Sequence, residues 1–173
     1  ISHASQAKPI VKTMIKYLPA NISTWLDENN LIWGEQLSPA FETAIKTDVD
    51  YVILFINELA GRSDWVRKEV SWALEREQEL KRTFLIPVVM RSGKEDIEDY
   101  FPEIKERKNI QITDYTEFGL KTAADQLTAG LFALICDDLN RMQNPKPVKA
   151  AQAIDRAEEM ISGLAMLIRK LVF

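Results

Sequence analysis

Two short apolar runs constrain the fold of this 173-residue chain more than any other feature. They are Tyr51–Ile56 and Phe84–Val89, and each is continuously apolar and rich in β-branched residues. Such runs are typical of strands whose two faces are both covered. Further strands are predicted at Ile1–Ser5, Ile22–Asp27 and Asn109–Ile112. The last of these is the most polar, so we expect it at the edge of the sheet.

Helical patterns separate these strands. Apolar spacing and start signals predict helices over Ala7–Leu18, Ser38–Lys46, Ser63–Arg82, Lys94–Tyr100 and Glu117–Leu139. In the second helix we expect Ser38 as the N-cap, with Pro39 at the first helical position. Five strands alternating with helices predict an α/β fold with a five-stranded parallel sheet and helices on both faces. In such sheets, ligands bind beyond the carboxyl ends of the strands.

The composition excludes several classes of protein. Hydrophobic residues make up 46% of the chain and charged residues 28%, which suits one compact domain with a helical appendage. The net charge is −4, and no basic cluster is interleaved with aromatic residues, so we expect no nucleic-acid groove. The single cysteine, Cys136, lies in an apolar helical run and is expected to be a buried thiol. With no signal peptide and no long apolar span, the chain is predicted to be cytoplasmic.

The C-terminal segment has its own pattern. After the helix-breaking stretch Asn144–Pro147, apolar positions recur at alternating spacings of four and three residues, namely Ala150, Ile154, Ala157, Ile161, Leu164, Ile168 and Leu171. This spacing is typical of a coiled-coil seam, and it also suits a helix that packs on its own domain. We therefore predict one domain over residues 1–142, followed by a linker and an amphipathic packing or oligomerisation helix over residues 143–173.

A tryptophan and a carboxylate stand one turn apart at the start of the third predicted helix. Trp65 and Glu69 are four residues apart, so they share a face of that helix. Glu69 is expected at the margin of the core stripe formed by Val66, Val70, Ala73, Glu77 and Leu80. Glu69 could also be an ordinary boundary residue satisfied by Arg67 or Arg62. Trp65 could likewise be an edge of the core rather than the wall of a ligand site.

The loop after the second predicted strand carries an unusual set of side chains. It runs from Asp27 to Leu37 and contains Trp33 and Leu31, which would expose apolar surface and thus indicate binding. Asp27 and Glu28 could offer carboxylates to a metal ion, but no second cluster has ligand spacing, so we predict no metal. His3 has no visible nucleophilic partner, which argues against a catalytic base.

Four segments of the chain, taken in order, resemble a bacterial TIR (Toll/interleukin-1 receptor) domain. Ile1–Ser5 resembles its first-strand box, and Thr24–Glu35 resembles its second strand and the following BB loop. Ser63–Glu69 resembles its third helix, and Phe84–Val88 resembles its fourth strand. The resemblance covers about residues 1–140. It implies a flavodoxin-like version of the predicted sheet.

The resemblance also implies a chemistry. Many TIR domains with the Trp-x-x-x-Glu arrangement cleave NAD⁺ between nicotinamide and ribose, and some of them cyclise the remaining ADP-ribose. By resemblance, Glu69 would be the catalytic carboxylate. The residues expected to contact NAD⁺ are Trp65, Ser2, His3, Ala4, Asp27 and Trp33. NAD⁺ would be the substrate, and no separate cofactor is implied.

Self-association is the other property that the resemblance implies. TIR enzymes of this kind need assembly, because the loop of one subunit completes the pocket of the next. The residues expected in this interaction loop are Leu31, Ile32, Gly34, Glu35 and Leu37. The expected setting is bacterial immunity or cell-death signalling, without direct contact to nucleic acid or membrane. The alternative is a non-enzymatic TIR scaffold that uses the same loop for protein contacts.

Overall fold

The chain forms a four-stranded parallel sheet flanked by helices. The computed structural model describes residues 1–26, 37–90, 97 and 99–142. The strands, given in their order across the sheet, are β1 (Ser2–His3), β2 (Val52–Ile56), β3 (Leu85–Met90) and β4 (Ile110–Ile112). The predicted α/β class and parallel sheet are confirmed, with four strands rather than five among the described residues.

Four α-helices lie along the described chain. They are α1 (Lys8–Ile15), α2 (Leu37–Thr43), α3 (Asp64–Leu80) and α4 (Glu117–Met142). Short 3₁₀ helices occur at Ser5–Ala7 and Pro102–Ile104, and a π-helical turn occurs at Ala44–Asp48. Of the helix predicted over Lys94–Tyr100, the described residues Ile97, Asp99 and Tyr100 are helical. The chain divides into two compact units, one of residues 1–18 and 24–127 and the other of residues 19–23 and 128–173.

Burial along β2 shows that both faces of the sheet are covered. All five residues of β2 are buried, although successive side chains of a strand point to opposite faces. One face contributes to a core cluster with α3, which includes Leu54, Val66, Val70 and Phe84. At the other end of the sheet, β4 is an edge strand as predicted, and its Gln111 is exposed.

The prediction of a second strand over Ile22–Asp27 is wrong for residues 22–26, the part of it that the structure describes. Residues 22–26 form no strand. The amino group of Ile1 donates a hydrogen bond to the Trp25 carbonyl oxygen at 2.9 Å, so the segment runs beside the start of the first strand. This bond comes from the terminal amino group, before β1 begins, and is not part of the repeated pattern of backbone bonds that makes a ladder. Asp27 lies outside the described residues.

Several helix ends differ from the prediction, among them the start of α2 and the end of α1. The second helix begins at Leu37, so Ser38 lies inside it and is not the N-cap. Pro39 is tolerated there because the first four N–H groups of a helix have no intrahelical partner. The first helix ends at Ile15 instead of Leu18, since the chain tightens into three-residue hydrogen bonds such as Tyr17 N to Met14 O before it reaches Pro19.

Several predictions concern the end of the chain. Cys136 is half-buried, not fully buried as expected. None of the helices in the described part is long and apolar enough to span a membrane. The linker and amphipathic helix predicted over residues 143–173 lie outside the described residues, and the domain boundary at residue 142 stays a prediction.

Candidate active site

The pairing of β1 with β2 determines which way the side chains of the first strand point. Ser2 pairs with Leu54, and His3 pairs with Phe55. Residues paired in a parallel ladder share a face of the sheet, and Leu54 packs in the cluster that contains α3 residues. Ser2 therefore faces α3. His3, the next residue, points to the opposite face of the sheet.

The first turn of α3 is held by its own cap. The Ser63 side chain accepts a hydrogen bond from the backbone N–H of Val66 at 3.3 Å. Arg67 donates hydrogen bonds to the carboxylate of Asp64 and to the Gly61 carbonyl oxygen. This confirms the helix start predicted at Ser63. It also shows that Arg67 is engaged with the first turn and does not satisfy Glu69.

Glu69 lies inside the protein, not at the margin of the core. It is only 3% exposed. Its Oε2 accepts a hydrogen bond from the Ser2 hydroxyl at 2.5 Å, and its Oε1 accepts one from the indole Nε1 of Trp65 at 3.0 Å. Burying a carboxylate is costly unless hydrogen bonds replace its lost hydration. The two donors supply that replacement, one at each oxygen.

Four aromatic side chains form a row that includes Trp65, the indole donor to Glu69. It consists of Trp25, Phe41, Trp65 and Trp72, and neighbouring rings meet edge to face. The centroid distances are 4.6 Å for Trp25–Phe41, 4.9 Å for Phe41–Trp65 and 6.2 Å for Trp65–Trp72. This is a favoured geometry for aromatic pairs. The row fixes the plane of the Trp65 indole, and thereby the direction of its N–H.

Comparison with known families decides the classification. The model of the TIR domain family matches residues 1–129. The chain belongs to the TIR domain family. A search of curated proteins finds no significant match. The matched stretch of this TIR domain includes all four described strands and the whole of α3.

The structure brings together only some of the residues predicted to form the site. Ser2, Trp65 and Glu69 are in direct contact, and Ala4 is buried just beyond the end of β1. His3 faces away from Glu69. The other predicted NAD⁺ contacts and most of the interaction loop lie outside the described residues, namely Asp27, Leu31, Ile32, Trp33, Gly34 and Glu35. Leu37 is the first residue of α2 and not part of a loop.

Two members of the aromatic row were not predicted. Nothing in the spacing of Trp25 or Phe41 links either residue to α3. Trp25 contacts Phe41, and Phe41 contacts Trp65, so both contacts join different segments of the chain. Phe41 lies in α2 and is buried. The one available signal is composition, since Trp25, Trp33 and Phe41 fall within one short stretch of the sequence. Trp65 packs in the row and also contacts Glu69, and its role as the wall of a ligand site stays a prediction.

A second carboxylate, which is partly buried, lies toward the far end of α3. Glu77 was predicted as part of the core stripe, and it accepts hydrogen bonds from the Arg107 guanidinium at 2.6 and 2.8 Å. It also accepts from the backbone N–H groups of Phe84 and Leu85. Burial raises the pKa of the Glu77 carboxyl, but these hydrogen bonds outweigh it and hold the pKa below its usual value of 4.5. Glu77 joins α3 to the start of β3.

Among the described residues, no three His, Cys, Asp or Glu side chains come close enough together to hold a metal ion. Asp27 and Glu28, the pair weighed as possible ligands, lie outside the described residues.

Proposed function

We propose that this TIR domain cleaves NAD⁺ between nicotinamide and ribose, with Glu69 as the catalytic carboxylate. One observation carries the proposal: a nearly fully buried glutamate lies one turn after a tryptophan, and a donor occupies each of its oxygens. The helix that carries both residues follows β2, so its first turns lie near the carboxyl end of the sheet, where ligands bind in such folds.

The reaction suits a single carboxylate. The bond between the nicotinamide nitrogen and C1′ of the ribose breaks, and its electron pair stays with nicotinamide, which leaves as a neutral molecule. Positive charge develops on the ribose in an oxocarbenium-like state, and a negative side chain nearby stabilises it. Water then adds at C1′ and gives up a proton, which yields ADP-ribose. Because the leaving group is neutral, no general acid is required.

The other site residues have supporting roles in this proposal. Trp65 shapes the wall of the pocket, and Ala4 lines it from the end of β1. Asp27 and Trp33 would complete it from the loop after residue 26, with Trp33 stacking on a planar ring of NAD⁺. The His3 side chain points to the other face of the sheet. In this proposal His3 therefore contacts NAD⁺ through its backbone atoms or through a different rotamer of its side chain.

Assembly switches the enzyme on in this proposal. The segment with Leu31, Ile32, Gly34 and Glu35 would reach the pocket of a neighbouring copy, with Leu37 at the start of α2 beside it. The segment over residues 143–173 would assist self-association. The proposed setting is the bacterial cytoplasm, in immunity or cell-death signalling. NAD⁺ is the substrate, and the product is linear or cyclic ADP-ribose.

Nicotinamide release tests the proposal. The native chain, Glu69→Gln and Glu69→Ala are incubated with NAD⁺ at high protein concentration with a crowding agent, and assembly is followed by light scattering. Glu79→Gln is the matched control, because Glu79 lies on the same helix, is exposed and pairs with Arg76. We expect release from the native and control chains and none from the two Glu69 variants.

A non-enzymatic scaffold is the second candidate, and one observation favours it. Phe118 is 78% exposed and Tyr115 is 42% exposed, close together at the start of α4. Exposed aromatic side chains are enriched where proteins contact one another. For a scaffold, Phe118→Ser would weaken self-association, while an assembled native chain would release no nicotinamide.

A further inference from the structure

We propose that Ser2 is a positioning residue that sets the orientation of the Glu69 carboxylate and does not itself contact the substrate. This inference rests on the proposed NAD⁺ cleavage. The resemblance implies only that Ser2 lines the pocket. The contacts of Ser2 assign it a different task.

The first argument is the accessibility of Ser2. Ser2 is 3% exposed, and its hydroxyl donates a hydrogen bond to Oε2 of Glu69 at 2.5 Å. A hydroxyl has one proton to donate. While the hydroxyl proton is engaged in the hydrogen bond to Glu69, Ser2 has no donor left for a ribose hydroxyl. Ser2 also exposes almost no surface to a ligand.

The second argument is that the two donors to Glu69 belong to different elements of the fold. Trp65 belongs to the same helix as Glu69, so its indole moves together with the carboxylate. Ser2 belongs to β1 and is 67 residues away along the chain. Its hydrogen bond therefore ties Glu69 to the sheet, against which the substrate site is built.

The third argument is the torsion that these donors restrain. The last torsion of a glutamate side chain, between Cγ and Cδ, is broad and roughly two-fold, so packing alone orients the carboxylate plane poorly. One donor on each oxygen fixes that plane. Loss of the Ser2 hydroxyl removes the hydrogen bond that ties Oε2 of Glu69 to β1, so the carboxylate plane is held less firmly against the sheet. Misplacement of a reacting group by a fraction of an ångström is enough to slow catalysis.

Enzyme kinetics separate positioning from substrate contact. For Ser2→Ala we expect kcat to fall on the order of 10- to 100-fold, as for other misplaced reacting groups. We expect KM for NAD⁺ to stay within about twofold of the native value, because uniform binding is not lost. Ser2→Thr, which retains a hydroxyl, should restore most of kcat. Ser71→Ala is the control, since Ser71 is exposed on α3.

A spectroscopic measurement tests the same inference without activity. The indole N–H signal of Trp65, assigned by its loss in Trp65→Phe, reports the hydrogen bond to Glu69. We expect this signal to shift in Ser2→Ala, to return toward the native position in Ser2→Thr and to stay in place in Ser71→Ala.

The possible results distinguish the two proposals. Glu69-dependent release with an unchanged kcat in Ser2→Ala, or an unmoved Trp65 signal, would overturn the positioning role alone. A raised KM with an unchanged kcat would show that Ser2 binds the substrate and would also overturn it. Higher activity in Ser2→Ala would also overturn the positioning role, because it would show that the Ser2 hydroxyl lowers activity. No release by an assembled native chain would overturn the proposed function and this inference with it.

Discussion

The indole Nε1 of Trp65 donates a hydrogen bond to Oε1 of Glu69 across 3.0 Å, from one turn earlier on α3. The same indole packs edge to face between Phe41 and Trp72. One side chain thus joins the aromatic row to the buried carboxylate. The orientation of Glu69 depends on packing as well as on hydrogen bonding.

Replacing Trp65 with phenylalanine separates these two contributions. Trp65→Phe keeps an aromatic ring in the row but removes the N–H donor from Glu69. We expect the free energy of unfolding to fall by about 1–2 kcal/mol, because a hydrogen bond to a buried carboxylate is lost. We expect nicotinamide release to fall roughly tenfold, since one positioned hydrogen bond is lost. Denaturant titration and the release assay measure the two effects.

Trp72→Phe is the matched control for that experiment. It shortens the row by the same change of ring, but it leaves the donor to Glu69 in place. Its release of nicotinamide should stay close to that of the native chain. Equal losses in the two variants would mean that ring packing, and not the hydrogen bond, accounts for the effect of Trp65.

The pair formed by Glu77 and Arg107 predicts how stability depends on pH. The folded-state pKa of Glu77 is lowered below 4.5, its usual value, so the folded protein favours the ionised carboxylate. The stabilisation is therefore complete above pH 4.5 and is lost as the pH falls through the lower, folded-state pKa. We expect the free energy of unfolding of the native chain to decrease below pH 4.5, as measured by urea titration at a series of pH values.

Glu77→Gln should remove part of this dependence. We expect the variant to be less stable than the native chain by about 1–3 kcal/mol at neutral pH, because Arg107 loses its charged partner. The difference between the two chains should shrink as the pH is lowered below 4.5. A difference that stays constant with pH would contradict the assignment of this stabilisation to the ionised form of Glu77.

Gly61 and Tyr100 are in close contact. A Cβ atom built on Gly61 would lie 2.3 Å from Cδ2 and Cγ of the Tyr100 ring and 2.5 Å from its Cβ. Since the near atoms include the root of the side chain, a rotation of the ring alone cannot relieve the overlap. We expect Gly61→Ala to cost about 1–3 kcal/mol of unfolding free energy, as overpacking does.

A double-mutant cycle tests this contact. Adding Tyr100→Ala to Gly61→Ala should recover most of the lost stability, because the overlapping ring is gone. Additive losses in the double variant would show that Gly61 is required for a reason other than Tyr100, such as the hydrogen bond that the Arg67 guanidinium donates to the Gly61 carbonyl oxygen.

The parts of the structure that depend on local chemistry could be predicted from the sequence. The runs at β2 and β3 are apolar enough to identify buried strands, and Ser63 marks the start of α3 as a capping residue does. The contact between Trp65 and Glu69 follows from helical spacing alone, since the two residues are one turn apart.

Contacts between distant elements could not be predicted in this way. The hydrogen bond from Ser2 to Glu69 depends on the register of β1 against β2, which no local pattern specifies. The polar partner of Glu77 is 30 residues away, so only the apolar surroundings of Glu77 indicated that it needed one. The second strand was predicted over Ile22–Asp27, but its described residues form no strand and contact the start of the first strand through the bond from the Ile1 amino group to the Trp25 carbonyl oxygen.

The most direct test of the central claim is a time course of nicotinamide release from NAD⁺, recorded by ¹H NMR on an assembled sample. The native chain and Glu69→Gln are compared at matched concentration, with folding of both checked by circular dichroism. We predict that the native chain releases nicotinamide in step with the loss of NAD⁺ and that Glu69→Gln releases none. Equal release by the two chains, or none by an assembled native chain, would contradict the account.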